Sequence, residues 1–227
     1  MDRKINKKER VIIKTPQIDL EKCIFCGKCS EACAFNAIAV TPHTVKIFSE
    51  LCHSCGVCKH ICPHKAISET DTPIGLIEIG EKNNLSFVQG KLNVGQAMSI
   101  PIIKDVKKHI DHNKHTIIDA PPGTSCSMVH SVINSDYCIL VTEPTPFGLN
   151  DLKLAIKVLL KLKIPFSVII NRCDIGNNEV KKHCADNNIK ILMEIPFSRK
   201  IAEGYSSGKP LIESAPEYKK EFQKLFI

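Results

Sequence analysis

Residues 23–33 read CIFCGKCSEAC, and residues 52–62 read CHSCGVCKHIC. Both stretches have the cysteine spacing C-x2-C-x2-C-x3-C, and the second begins 29 residues after the first. Their flanks repeat as well: Ala37-Ile38 corresponds to Ala66-Ile67, and Gly27 corresponds to Gly56, at a cramped position where a missing Cβ atom helps. Eight of the chain's twelve cysteines lie in this repeat, which predicts a small module nucleated by metal.

The spacing is that of bacterial two-cluster ferredoxins, in which the fourth cysteine of each run binds the other cluster. We therefore expect two [4Fe-4S] clusters. The first expected ligand set is Cys23, Cys26, Cys29 and Cys62, and the second is Cys52, Cys55, Cys58 and Cys33. Structural zinc is the alternative, but zinc sites usually take two short cysteine or histidine pairs set apart. Three histidines, His53, His60 and His64, are expected around the second cluster.

Composition and charge narrow the class of protein. No apolar run approaches the roughly 18–20 residues of a membrane span, and the basic start MDRKINKKER lacks the apolar core of a signal peptide. Cluster ligands must stay reduced, so we expect a cytoplasmic protein. The formal charge is +7. Two clusters of about −2 each would leave roughly +3, which gives little reason to expect nucleic acid as a partner. We expect no membrane partner either.

The chain changes character near residue 72. We expect a basic, solvated segment at residues 1–14, a two-cluster ferredoxin domain at 15–72 and an α/β domain at 73–227. In the last domain, apolar runs predict strands at residues 116–119, 137–142, 166–170 and 190–195. Helices are predicted at residues 94–110, 124–134, 150–163, 178–187, 198–206 and 215–226. This alternation predicts a parallel sheet that helices cover on both faces.

Segments at the predicted strand ends carry candidate binding chemistry. Asp119 and Gly123 follow the strand TIID, where a carboxylate can hold a Mg²⁺ water and a glycine amide can meet a terminal phosphate. The loop TEPTPFG (142–148) follows the next strand. Asn171 and Arg172 follow FSVII, where an amide can bond a base edge and a guanidinium can stack on it. Ligands of open α/β sheets bind at such carboxyl ends, so we expect a nucleotide site there.

The order of DAPPGTSC (119–126), VTEPTPFGLNDLKLA (141–155), INRCD (170–174) and IPFSRKIAEGYSSGKPL (195–211) resembles the MinD/Mrp superfamily of P-loop ATPases. More narrowly, it resembles members with an inserted two-cluster ferredoxin domain. The resemblance runs from about Val11 to the end and includes FVQGKLNVGQAM (87–98). It implies nucleotide-gated redox or iron–sulfur chemistry, with Mg·ATP as a possible further cofactor.

One departure from that superfamily concerns its phosphate loop. No string of the form G-x4-G-K-[ST] occurs in the chain, and the nearest, GYSSGK (204–209), has the wrong spacing. Without such amides and a lysine, triphosphate charge is not neutralised. By resemblance, the missing strand lies between those at 116–119 and 137–142, so two unpaired edges are expected. Three explanations of the missing loop stay open. The chain is a natural truncation, it is an artefactual truncation, or a partner polypeptide or homodimer supplies the loop.

Three functions fit these observations. The first is an electron-transfer protein whose clusters relay single electrons between redox partner proteins. The alternative is an ATPase that gates electron flow or that carries or assembles iron–sulfur clusters. A third is an assembly adaptor with purely structural clusters. The chain has no Ser–His–Asp order and no carboxylate pair for hydrolysis, so no catalytic residue is predicted.

Overall fold

A computed structural model describes residues 4–226 of the chain. These residues fall into two compact units, 4–117 and 118–226. Composition predicted the change of domain near residue 72, but a strand that runs from Ile67 to Lys82 crosses that position without a break. The boundary between compact units therefore lies well beyond the predicted one.

The first unit contains five strands and three helices. In chain order these are β1 (Lys4–Ile18), α1 (Lys28–Glu31), β2 (Ile38–Thr41), β3 (Thr44–Ile47), α2 (Val57–Ile61), β4 (Ile67–Lys82), β5 (Leu85–Leu92) and α3 (Ile100–Lys107). Strands β1, β4 and β5 form an antiparallel sheet in that order, and β2 pairs with β3 in a separate hairpin.

Strand β1 corrects the prediction that residues 1–14 form a solvated segment, of which residues 1–3 lie outside the described residues. Its lysines are exposed, but Val11, Ile13 and Thr15 alternate on the buried face. Val11 and Ile13 pack with Ile74 and Ile77 of β4. The alternation has period two, as a half-buried strand requires.

Helix α3 covers one face of this sheet through Ile102. Gly90 of β5 lies directly beneath it, and a Cβ atom there would overlap the Ile102 side chain. The glycine therefore permits the close approach of helix and sheet. The helix is shorter than the predicted 94–110, and Pro101 stands in its first turn, where a proline costs no hydrogen bond.

A buried carboxylate lies on β4 of the same sheet. Glu78 is 2% exposed and accepts from Lys91 Nζ at 2.7 Å, from Gln89 Nε2 at 2.6 Å and from Lys8 Nζ at 3.2 Å. Lys91 and Gln89, with a smaller effect of Lys8, lower the pKa of Glu78 from 4.5 to about 2. The three donors therefore stabilise the ionised form.

The second unit alternates helices with a three-stranded parallel sheet of order β6-β7-β8. In chain order its elements are α4 (Cys126–Val132), β6 (Cys138–Thr142), α5 (Pro146–Leu162), β7 (Phe166–Asn171), α6 (Glu179–Asp186), β8 (Ile191–Ile195), α7 (Arg199–Ser206), α8 (Leu211–Ser214) and α9 (Lys219–Gln223). The α/β class and the parallel sheet are confirmed. The helix predicted over 215–226 is broken, with 3-10 turns on either side of α9.

Two apolar layers hold this sheet. On one face, Leu159 of α5 packs with Met128 of α4, and Leu152 packs with Val168 and Val180. Helix α5 begins at Pro146 and not at the predicted residue 150, because Thr145 Oγ1 accepts from Gly148 N at 3.0 Å in an N-cap. On the other face, a second layer joins the sheet to the last helices through Ile169, Met193, Ile195, Ile201, Leu211, Tyr218 and Phe222.

The sheet is open at β6. Within residues 4–226, β6 pairs with β7 only, and Ile139 and Val141 on alternate positions are 39% and 66% exposed. The strand predicted at 116–119 is absent: those residues pair with no strand, and Ile117 is 76% exposed. We predicted that helices cover both faces of the sheet, but this covering is incomplete at β6. No helix among residues 4–226 is long and apolar enough to cross a bilayer.

Candidate metal centres

The two cysteine runs fold into the same local structure. The residue before the second cysteine has a positive φ in both, 53° at Phe25 and 54° at Ser54. The glycine after that cysteine is also left-handed, with φ of 77° at Gly27 and 73° at Gly56. Helices α1 and α2 begin at the following residue. A left-handed glycine is unstrained, so each loop can turn its first three thiols inward.

Strand pairing explains why the fourth cysteine changes partners. Strand β1, which precedes the first run, pairs with β4, which follows the second; Ile18 lies opposite Ile67. Strands β2 and β3 repeat this arrangement, with Ile38 opposite Ile47. Two matching hydrogen bonds close the loops, from Asp19 N to Ala66 O at 2.8 Å and from Phe48 N to Ala37 O at 2.9 Å. Each run's last cysteine is therefore delivered to the other run.

The cysteines surround two small cavities. One is lined by Cys23, Cys26, Cys29 and Cys62, and we call it the first cavity. The second cavity is lined by Cys33, Cys52, Cys55 and Cys58. These are the two sets predicted from the spacing, and their ligation of metal stays a prediction. All twelve cysteines are free thiols, so none of the eight is withdrawn into a disulfide.

The surroundings of the thiols fit an iron–sulfur cube. Backbone N–H groups donate to sulfur from Ala37 to Cys33 and from Ala66 to Cys62, both at 3.3 Å, and from Ser54 to Cys52 at 3.4 Å. Such bonds stabilise the negative charge of thiolates and of the cluster they hold. In the metal-free chain, burial raises the pKa of the Cys29, Cys52 and Cys58 thiols. Metal binding must therefore displace protons from these sulfurs.

Several residues around the cavities were missed or misplaced by sequence reasoning. Phe35 stacks on His53 with ring centroids 3.5 Å apart, and both line the second cavity. His64 lines the first cavity instead, which corrects its predicted place beside the second. Glu69 also lines the second cavity and was not predicted. The 29-residue offset pairs Glu69 with Val40, but only the structure shows that Val40 lines the first cavity, so no signal in the sequence identifies Glu69.

Three of the four candidate nucleotide residues, Asp119, Gly123 and Arg172, lie outside helices and strands, and Asn171 lies at a strand end. Asp119 is exposed in the unpaired segment, and Gly123 is exposed in the bend before α4. Asn171 ends β7, and Arg172 follows it with φ of 50°. Arg172 Nε lies 3.5 Å from Glu143 Oε1, so the guanidinium is already engaged by a carboxylate at the end of β6. Their role in nucleotide binding stays a prediction.

The string GYSSGK forms a helix end. Gly204 lies within α7, and Lys209 N donates back to its carbonyl at 2.9 Å. Such a bond closes the last turn of a helix, so this amide is engaged within the chain.

Comparison with known proteins gives two family matches. Residues 22–66 match the 4Fe-4S dicluster domain, and residues 95–226 match the NUBPL iron-transfer P-loop NTPase family. The chain is 34% identical to the uncharacterized protein MJ0579 of Methanocaldococcus jannaschii, over 62% of the chain and 49% of that protein. It is 24% identical to the cytosolic Fe-S cluster assembly factor NUBP1 homolog of Caenorhabditis briggsae, over 61% of the chain and 50% of that protein. The chain thus spans about half the length of these relatives.

The fold also matches a solved structure. The cell division ATPase MinD of Pyrococcus furiosus superimposes with a TM-score of 0.51 and 22% identity, over 66% of this chain and 69% of that one. This likeness supports the fold alone.

Proposed function

Because the chain belongs to the NUBPL iron-transfer P-loop NTPase family and carries an iron–sulfur dicluster domain, we propose that it is an electron-transfer protein with two [4Fe-4S] clusters. Its clusters relay single electrons between redox partner proteins, and its place is the cytoplasm. The observation that carries this proposal is the pair of four-cysteine cavities, each complete within residues 23–62.

The ligand sets follow from those cavities. Cys23, Cys26, Cys29 and Cys62 hold the first cluster, and Cys52, Cys55, Cys58 and Cys33 hold the second. When bound, such clusters supply one-electron chemistry. The protein's part is to hold thiolates, exclude water and present a route for electrons to the surface.

Relay is favoured over delivery by how the thiols are held. Of the eight, only Cys26 and Cys55 are exposed, one at each cavity, and the others are half-buried. An electron can pass through an exposed sulfur while the cluster stays in place. Delivery of a whole cluster would require four thiolates to release it, including Cys33, which precedes β2, or Cys62, which precedes β4.

Anaerobic reconstitution followed by reduction tests the proposal. The protein should bind about eight irons and eight sulfides, and both clusters should accept electrons from a low-potential donor without unfolding of the chain. The reduced protein should then pass electrons to a one-electron acceptor and keep its iron. Zinc in place of iron after strictly anaerobic purification would refute cluster binding. Clusters that no reductant can reduce would instead favour an assembly adaptor whose clusters are purely structural.

A second candidate function is that of an ATPase that gates electron flow or carries clusters, with its phosphate loop supplied from outside the described residues. The observation in its favour is the open edge of β6 with exposed Ile139 and Val141. A strand that pairs in parallel there would end at the same carboxyl edge as Asn171. Loss of iron to an apo-acceptor, faster with ATP, would support this candidate over relay.

A further inference from the structure

One repeated scaffold builds both cavities, and many of the contacts that hold them are matched. Ser30 of α1 and Lys59 of α2, which are 29 residues apart, each tie their helix to a strand. Ser30 Oγ donates to Ile38 O at 2.7 Å, and Lys59 Nζ donates to Glu69 Oε2 at 2.9 Å. The fourth cysteine of each run also accepts one N–H at 3.3 Å. A difference between the sites must therefore be sought in the loops that join the first two cysteines of each run.

A pair of stacked rings joins two ligand segments of the second cavity. Phe35 lies two residues after Cys33, and His53 directly follows Cys52. Their rings are parallel within 5°, with centroids 3.5 Å apart. Because both cysteines line the second cavity, the stack links the segment of the crossed ligand to the loop of the other run. Such ring pairs stabilise an arrangement beyond the burial of their apolar area.

Ser54 anchors the same loop to the sheet. Its Oγ accepts from the backbone N–H of Lys14 in β1 at 3.0 Å, and its own N–H donates to Cys52 Sγ at 3.4 Å. Strand β1 lies at the edge of its sheet, so its outer amides are available to such a side chain. The loop of the second cavity is thus fixed both to a strand and to the segment of the crossed ligand.

The counterparts at the first cavity make neither contact. Ile24 stands in place of His53, and Phe25 stands in place of Ser54, so one ring of the stack and the hydroxyl acceptor are both replaced. Within residues 4–226, Ile24 and Phe25 take part in no ring stack and no side-chain hydrogen bond. Ile24 is 57% exposed, so its own packing holds the loop only weakly.

Two features of the first cavity act in the other direction. Asp19 accepts from Glu21 N at 3.1 Å and from Lys22 Nζ at 2.7 Å, which orders the approach to Cys23. These contacts are exposed and lie before the loop, and exposed ion pairs contribute little. Phe25 supplies apolar contact, which is non-directional and so fixes the loop less closely than a stack and a hydrogen bond do. The loop of the second cavity is therefore the better held of the two.

A loop that is ordered before metal binds loses less conformational entropy when it binds. Release of a cluster requires the loop to open, so the contacts that order it also slow release. We propose that the second cavity is the preorganised one of the two, which holds its cluster more tightly and releases it more slowly. Phe35, His53 and Ser54 are its positioning residues. The inference rests on the proposed function, because it concerns the same two clusters.

Two single-cluster proteins separate the sites. Cys23→Ala with Cys62→Ala leaves only the second cavity complete, and Cys33→Ala with Cys52→Ala leaves only the first. After anaerobic reconstitution, the transfer of iron to a chelator is followed by absorbance. The cluster of the second cavity should be lost at least roughly fivefold more slowly, which is the effect of one aromatic contact.

Ring variants connect this difference to the stack. In the protein that keeps the second cavity, Phe35→Leu should speed the release of iron about fivefold, whereas Phe35→Tyr keeps the ring and should leave the rate unchanged. In the protein that keeps the first cavity, Ile24→His with His64→Phe installs the same pair of rings at the corresponding positions. That double variant should release iron about fivefold more slowly than its parent.

Amide hydrogen exchange of the metal-free wild-type chain is a second readout that needs no cluster. Residues 53–55 should exchange more slowly than residues 24–26, and Phe35→Leu should reduce that difference. A wild-type protein that binds no clusters refutes the proposed function, and exchange then decides the inference alone, as it does if a single-cluster protein fails to load. Equal release rates, faster release from the second cavity, or a Phe35→Leu variant with unchanged release and exchange would overturn the inference.

Discussion

Paired cysteine substitutions distinguish crossed ligation from two self-contained runs. Cys23→Ala with Cys62→Ala removes two thiols from the first cavity and leaves the second intact. Cys23→Ala with Cys33→Ala removes one thiol from each cavity. If each run instead held its own cluster, the Cys23/Cys33 double variant would lose one cluster and the Cys23/Cys62 double variant would lose both.

The expected iron contents follow from those sets. The wild type should hold about eight irons, the Cys23/Cys62 double variant about four, and the Cys23/Cys33 double variant about none in intact cubes. Val11, Ile74 and Ile102 form an apolar core that contains none of the eight cysteines, so the first unit should stay folded when one cluster is lost. A change of about four irons between two proteins of equal cysteine number is well above the error of such measurements.

The assay is anaerobic reconstitution with iron, sulfide and visible absorbance measured per chain, and circular dichroism as the check of folding. Cys126→Ala with Cys173→Ala, which touches neither cavity, is the matched control and should keep about eight irons. The reasoning is refuted if the Cys23/Cys33 variant keeps one cluster while the Cys23/Cys62 variant keeps none.

Three further predictions concern stability and nucleotide. The folded pKa of Glu78 is about 2, below its ordinary 4.5, so the stability that it contributes is present above pH 4.5 and is lost as the pH falls toward 2. Urea unfolding of metal-free Glu78→Gln should therefore show a deficit against wild type that shrinks across that window; a constant deficit would contradict it. Leu159→Ala should lower the free energy of unfolding by roughly 2–5 kcal/mol, because Leu159 is 0% exposed. Leu160→Ala is the control: Leu160 is 63% exposed, so this substitution should cost under about 1 kcal/mol. The chain alone should bind ATP weakly or not at all, and added polypeptide with a phosphate loop should create binding that Asp119→Asn abolishes; calorimetry that finds tight binding by the chain alone would overturn this.

The cysteine runs were predictable because their information is local. Spacing along the chain fixes which thiols can meet, and two repeats of one spacing reinforce each other. Strand β1 was not recognised, since its lysines and arginine resemble a solvated segment. Its real signal is the alternation of Val11, Ile13 and Thr15, and the partner that makes it a strand, β4, begins 49 residues after β1 ends.

Dependence on a distant pairing partner also explains why the strand predicted at residues 116–119 does not form. The apolar string TIID has the composition of a buried strand, as do FSVII and YCILVT, which do form β7 and β6. A strand also needs a neighbour to satisfy its backbone, and that neighbour is not a property of the string itself. Without one among residues 4–226, Ile117 and Ile118 stay exposed.

The two candidate functions differ in how much of their chemistry lies within the described chain. The eight thiols that we propose as ligands of two clusters all lie within residues 23–62, and the pairing of β1 with β4 places Cys62 at the first cavity. At the carboxyl edge of the parallel sheet, by contrast, Arg172 is engaged by Glu143, and the string that most resembles a phosphate loop closes a helix. Nucleotide binding would have to break the first contact and bring its own amides and lysine. The electron transfer that we propose needs neither change, because its thiols are already gathered around the two cavities.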